Sequence, residues 1–173
     1  MDESPLVIAG LPIGSRAPLF LAVLAVHVLV AITAVLSAAI AIVSEKGQRR
    51  HVRFGRLYFR ALIATGVTAM LLAVLRWKED YYLFLLAAIA LALGVLGART
   101  RARSGRSSAR RHAILMSASV IVMLTAFYVD NGPHLPLWRL LPTAALWVIP
   151  TLVGAPVLVR VLRRHPLTSA TRD

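Results

Sequence analysis

The chain has no cysteine among its 173 residues. That excludes disulfides, thiolate catalysis, cysteinyl iron–sulfur clusters and thiolate zinc sites. Cysteine-free chains occur in every compartment, so the absence does not localise the protein. Charge is also scarce. Only 16% of residues are Asp, Glu, Lys or Arg, against 58% hydrophobic, and a soluble domain of this length needs more polar surface than that to wrap its core. Acids are the rarer sign, 7 against 20 basic residues. Segments of alternating polarity are missing, which excludes a β-barrel. No zinc finger, aromatic RNA-binding platform or separate basic soluble domain is present, so the formal charge of +13 is not the footprint of nucleic-acid binding. Nor is there a nucleotide loop, a soluble second domain or an internal repeat of convincing period.

What remains is apolar and long. Mean hydropathy is +0.74, and the apolar residues come in runs of about 17–26, each sufficient to cross roughly 30 Å of hydrocarbon. A helix satisfies its own backbone groups in lipid, so spanning helices fit these runs. Spans are expected at residues 18–43, 57–75, 81–98, 113–129 and 138–162. Residues 6–13 are apolar but too few to span, and are expected to lie in the interface or to cover the bundle. The acidic start Met1-Asp2-Glu3-Ser4-Pro5 does not suit a secretory signal, and the run after it exceeds a signal's apolar region. It is read as a retained span.

Basic residues set the expected orientation. The first loop and the start of the second span carry Lys46, Arg49, Arg50, Arg53, Arg56 and Arg60. The third loop carries Arg99, Arg101, Arg103, Arg106, Arg110 and Arg111 with no acid, and the tail adds Arg160, Arg163, Arg164 and Arg172. The opposite side has Arg16, Arg76, Lys78 and Arg139 against Asp2, Glu3, Glu79, Asp80 and Asp130. The positive-inside rule then puts the N-terminus outside and the C-terminus in the cytoplasm. The basic segments are expected to meet anionic headgroups. Arg56 and Arg60 are read as opening the second helix, where the dipole disfavours a cation by about 0.3–1 kcal/mol. Headgroup attraction of about 1 kcal/mol per basic residue outweighs that.

Small residues at intervals of three and four mark packing faces: His27, Ala31, Ala34, Ala38 and Ala41; Ala61, Thr65, Ala69 and Ala73; Ala87, Ala90, Gly94 and Gly97. Such stripes let helices approach closely in lipid. The fifth span holds Pro142, expected in its first turn, and interior Pro150 and Pro156 beside Gly154, expected to kink it.

The stretch Lys46-Gly47-Gln48-Arg49-Arg50-His51-Val52-Arg53-Phe54-Gly55-Arg56-Leu57-Tyr58, with His27 ahead of it and Asp130-Asn131-Gly132-Pro133-His134 late in the chain, resembles an uncharacterised family of small bacterial membrane proteins. That pattern runs Lys-Gly, then His-Arg-x-x-Gly-Arg-x-Tyr. This chain departs at Val52, where arginine is usual and Arg53 follows instead. The resemblance implies a helical membrane protein and carries no catalytic residue.

Candidate chemistry rests on few side chains. His27 falls about 14 Å along the first span from its outer end, near mid-membrane, where an ionisable group suggests a ligand or a proton relay. A neutral histidine bonding across helices accounts for it as well, and is the preferred account. His51 and His112 begin spans two and four and are the best depth-matched pair for haem. Asp80, Asp130 and His134, at the outer end, are the candidate ligands for a divalent metal, although the close spacing of a zinc signature is lacking. Asp130 shares a helical face with Ser119 and Ala126 and is expected to point inward. Ion pairing with Arg76 or Arg139 explains the same carboxylates. Ser37, Ser117, Ser119, Thr65 and Thr125 have no base and orienting partner in sequence, so nucleophilic catalysis is not supported.

The expected fold is all-α: residues 1–173 as one five-helix transmembrane bundle of a bacterial plasma membrane. The expected function is that of an accessory or scaffolding component, without evident catalysis, engaging lipids and membrane-protein partners. The alternative is a haem-, metal- or proton-handling protein using His27 with Asp130 and His134, or using His51 and His112.

Overall fold

A computed structural model describes residues 6–8, 11–13, 17–100 and 105–164. Five helices follow a short hairpin: α1 Pro18–Val43, α2 Arg49–Leu75, α3 Trp77–Thr100, α4 Arg106–Asn131 and α5 Thr143–Arg164. All five are long and apolar enough to cross a membrane. The apolar patch at the start forms strands β1 (Leu6–Ile8) and β2 (Leu11–Ile13), antiparallel with Leu6 opposite Ile13. Two three-residue turns of 3₁₀ helix, Gly132–His134 and Trp138–Leu140, lead into α5.

Each helix boundary has a local cause. Proline at the first position of α1 needs no hydrogen-bond donor there. The helix ends at Ser44, whose N–H and hydroxyl both bond to the Ile40 carbonyl. Gly47 then adopts φ +87°, a conformation open mainly to glycine. α2 and α3 are separated by Arg76 alone. The fifth helix begins at Thr143, later than the apolar run suggests. Pro142 lacks an N–H and holds Leu141 extended, so the segment from residue 138 cannot continue smoothly into α5. α1 begins where its apolar run does; α2, α3 and α4 begin earlier than theirs, because polar first turns also coil. α5 continues through both Pro150 and Pro156.

Packing is built from small residues. Ala34 and Ala38 of α1, Tyr58, Ala61 and Leu62 of α2, and Ala90 of α3 form one buried cluster, with Met116, Val120 and Met123 of α4 against it. The expected small-residue faces are the contact faces: Ala41, Thr65, Ala73, Ala87, Gly94 and Gly97 are buried too. α2 and α3 interlock reciprocally, since Leu62 lies over Gly94 and Leu91 lies over Gly66. Large aliphatic side chains point away from this core; Leu19, Leu29, Leu36, Val43, Leu71 and Leu152 are all more than half exposed. In water such a surface would aggregate. In hydrocarbon it needs no cover.

One buried hydrogen bond joins α2 to α4: Tyr58 Oη lies 2.7 Å from Ser119 Oγ. The serine hydroxyl donates its one hydrogen to the Met116 carbonyl, so the tyrosine donates to the serine. The two substitutions therefore differ. Tyr58→Phe removes a donor and leaves Ser119 bonded, with an expected loss of about 0.5–1.5 kcal/mol. Ser119→Ala strands a buried phenol and is expected to cost more, about 1–3 kcal/mol. Unfolding of both variants in mixed micelles ranks them.

Candidate functional site

Three of the four histidines singled out by the sequence, His27, His51 and His112, each close a contact between helices, and each does so through Nδ1. His51, in the first turn of α2, lies 2.9 Å from the Ala41 carbonyl near the end of α1. His112, early in α4, lies 2.7 Å from the Gly97 carbonyl near the end of α3. A carbonyl only accepts, so Nδ1 carries the hydrogen in both rings. His27 of α1 lies 2.9 Å from Thr68 Oγ1 of α2. The threonine hydroxyl reaches back to the Ala64 carbonyl at 2.8 Å, which uses its hydrogen, so His27 Nδ1 donates as well. In the rings of His51 and His112, Nε2 is then the nitrogen that carries no hydrogen in the neutral form.

The bonds of His51 and His112 meet a backbone need. The last carbonyls of a helix have no partner within it, and in a membrane an unmet carbonyl is costly. At the end of α1, Lys46 Nζ donates to the Ala41 and Ile42 carbonyls at 3.2 and 2.8 Å, sharing Ala41 with His51. The cation also suits the negative end of the helix dipole. Burial nevertheless holds the Lys46 ammonium below its ordinary pKa. At the end of α3, Thr100 and His112 share the Gly97 carbonyl, and Ser108 donates to the Thr100 carbonyl.

The two hairpins, α1–α2 and α3–α4, thus use one device: a glycine of positive φ in the connection, Gly47 or Gly105, then Arg-Arg-His at the start of the returning helix. His51 and His112 stand as far apart in sequence as Tyr58 and Ser119, which are 61 residues apart. Periodicity along the chain missed this because the connections differ: the histidines reach back over 10 and 15 residues respectively. The two Arg-Arg-His triplets, Arg49-Arg50-His51 and Arg110-Arg111-His112, were the available signal. Lys46 was also missed as a cap, although Lys-Gly just past an apolar run is a helix-end signature.

The other end of the bundle gathers acids and aromatics. Asp80 is buried and pairs with Arg76 at 3.1 Å, four residues before it. Asp130 is exposed, contrary to the inward orientation expected from its face. In the last turns of α4 the buried face is that of Thr125, Val129 and Gly132, and Asp130 lies off it. Its carboxylate accepts from Asn131 and feels the charges of Asp80, Arg76 and His134. Among the described residues no three His, Asp or Glu side chains converge as a metal ion would require. All three tryptophans lie at this end, Trp138 packed on Tyr128 and Trp147 on Tyr82. Aromatic side chains of this kind favour a membrane–water boundary.

Of the basic residues, Arg49, Arg53, Arg56 and Arg60 line one groove of ≈ 520 Å³ on α2. Arg50, Arg99, Arg110 and Arg111 are exposed nearby in sequence or at the start of α4. Arg101 and Arg103 lie outside the described residues, as does the Arg106 side chain. Arg56 and Arg60 do not open α2, which begins at Arg49; they stand two and three turns inside it, so the dipole argument does not apply to them. No family model matches the chain, and no curated relative or solved structure matches it either.

Proposed function

We propose that the protein is an accessory or scaffolding component of a bacterial plasma membrane, with its basic end in the cytoplasm. The observation that carries the reading is the use made of the candidate histidines. His27 ties α1 to α2, and His51 and His112 tie each returning helix to the end of the one before it. His51 and His112 hold helix ends closed and His27 ties two helices along their length, which is structural work. The arginines of the basic end, with hardly an acid among them, engage anionic lipid.

A second reading has one observation in its favour. A metal-ligating imidazole commonly anchors its other ring nitrogen on a backbone carbonyl, and His51 and His112 are anchored that way through Nδ1. Haem or metal ligation would then fall to Nε2. Glutamine separates the two readings, because its amide can donate to the carbonyl but does not replace imidazole as an axial ligand. The protein purified from membranes is expected to lack a Soret band and stoichiometric metal, and His51→Gln and His112→Gln are expected to retain most stability. A Soret band or bound metal that vanishes in the folded glutamine variants overturns the accessory reading. Orientation is tested by reporters fused to either end. A C-terminal fluorescent protein should fold in the cytoplasm, and accessibility of that terminus from outside intact cells would reverse the assignment.

A further inference from the structure

The arginines lining the groove on α2 occupy one stripe. Arg49, Arg53, Arg56 and Arg60 follow the 4-3-4 spacing of a single helical face, and that face is opposite the one that buries Tyr58, Ala61 and Thr65. The stripe continues as Ile63, Val67, Leu71 and Val74, all exposed and aliphatic. One outward face, with Val52 and Leu57 flanking its arginines, therefore changes from strongly cationic to apolar between Arg60 and Ile63.

Two hydrogen bonds fix the height of that change against α1. His51 of α2 is level with Ala41 of α1, and Thr68 is level with His27. Arg53, Arg56 and Arg60 lie between His51 and Thr68, so they stand alongside the stretch of α1 from His27 to Ala41. There α1 exposes Leu29, Ile32, Val35 and Leu36. At one depth, then, α1 requires hydrocarbon while α2 presents guanidinium groups. Beyond Arg60 the outward face of α2 offers only about 20 Å of apolar length, short of the roughly 30 Å of a bilayer core. Arg60 sits about 13 Å further into the bundle than the level of His51.

We propose that this arginine face is a binding site for net-anionic phospholipid, whose phosphates are drawn below the general level of the headgroups to meet Arg53, Arg56 and Arg60. The inference rests on the chain spanning a membrane and deepens the lipid-engaging reading. The acyl chains of such a lipid cover the neighbouring aliphatic face of α1 while its phosphate satisfies the guanidinium donors. A zwitterionic headgroup brings a cation of its own that the arginines repel, so the site selects lipids without one. The groove lining contains no carboxylate, which leaves these charges for an external anion.

The test uses the full chain in nanodiscs of phosphatidylcholine, with lipid binding followed by native mass spectrometry on adding phosphatidylglycerol or cardiolipin. The wild-type protein should retain anionic lipid in preference to zwitterionic, and Arg56→Gln/Arg60→Gln should weaken that preference roughly tenfold or more. Arg110→Gln/Arg111→Gln removes the same charge from the start of α4 and should leave the preference within about twofold. Equal loss in both variants, or no loss in the first, overturns the site. Wild-type protein indifferent to headgroup charge overturns it without reference to any variant. Binding of polyglutamate in place of anionic lipid also overturns it, and assigns the face to an acidic protein. Failure of the spanning reading itself would show separately, as release of the protein from carbonate-washed membranes.

Discussion

Replacing Gly66 by alanine is expected to destabilise the bundle by about 1–3 kcal/mol, and by leucine to exceed that range and separate α2 from α3. A Cβ at Gly66 would come within 2.6–2.8 Å of three carbons of the Leu91 side chain, so the whole isobutyl group must move. It has little room to do so. Leu62, one turn back along the same helix, is buried over Gly94 and closes the other half of the interlock. Lipid does not push these helices together as water would, because a detached helix is solvated by hydrocarbon as well as by protein. Close packing supplies the association, and close packing is what the substitution removes. Gly55 in the same helix is the control. A Cβ there meets nothing within 4 Å, and Gly55→Ala is expected to stabilise by about 0.5–1 kcal/mol through helix propensity and lost chain entropy. Opposite signs for one chemical change in one helix, read by unfolding in mixed micelles, are the expected result. A neutral Gly66→Ala would mean that α2 and α3 are not interlocked.

The features legible in the sequence are those that depend on composition and spacing alone. Five apolar runs announce five helices, and the spacing of Ala34, Ala38, Ala90 and Gly94 marks the faces that touch. Polar first turns were less legible. Arg49 through Arg56 look like loop by hydropathy, yet they coil as the start of α2, because an arginine-rich segment is a good helix former when nothing breaks it. That shift of two turns alters the meaning of Arg56 and Arg60, from residues at a helix start to residues two and three turns inside it. Histidine roles were illegible for a different reason. Whether His51 faces a carbonyl or a ligand depends on where the end of α1 lies in space, and no local pattern encodes it. Asp130 illustrates the limit of a helical face: it is in line with Ser119, but near the end of α4 the buried side is that of Thr125, Val129 and Gly132.

The largest remaining effect is expected at the shared carbonyl of Ala41. Lys46→Ala and His51→Ala each leave that oxygen with one donor, since the other residue still reaches it at 2.9 or 3.2 Å. Each alone is expected to cost about 1 kcal/mol, in the range of a lost hydrogen bond or a lost cation at a helix end. Together they leave the carbonyl of buried Ala41 with neither side-chain donor, so the double variant should lose about 1–2 kcal/mol more than the sum. His51→Ala combined with His112→Ala is the informative comparison. The two rings bond to different carbonyls on different helices, and as caps they share no partner, so their losses should add within about 0.5 kcal/mol. Two ligands of one metal or haem would instead be strongly coupled, because removing either already forfeits the group. The pair of double-mutant cycles therefore sets coupling at Lys46 and His51 against independence at His51 and His112, and the reverse pattern would move the histidines from helix closure to ligand binding.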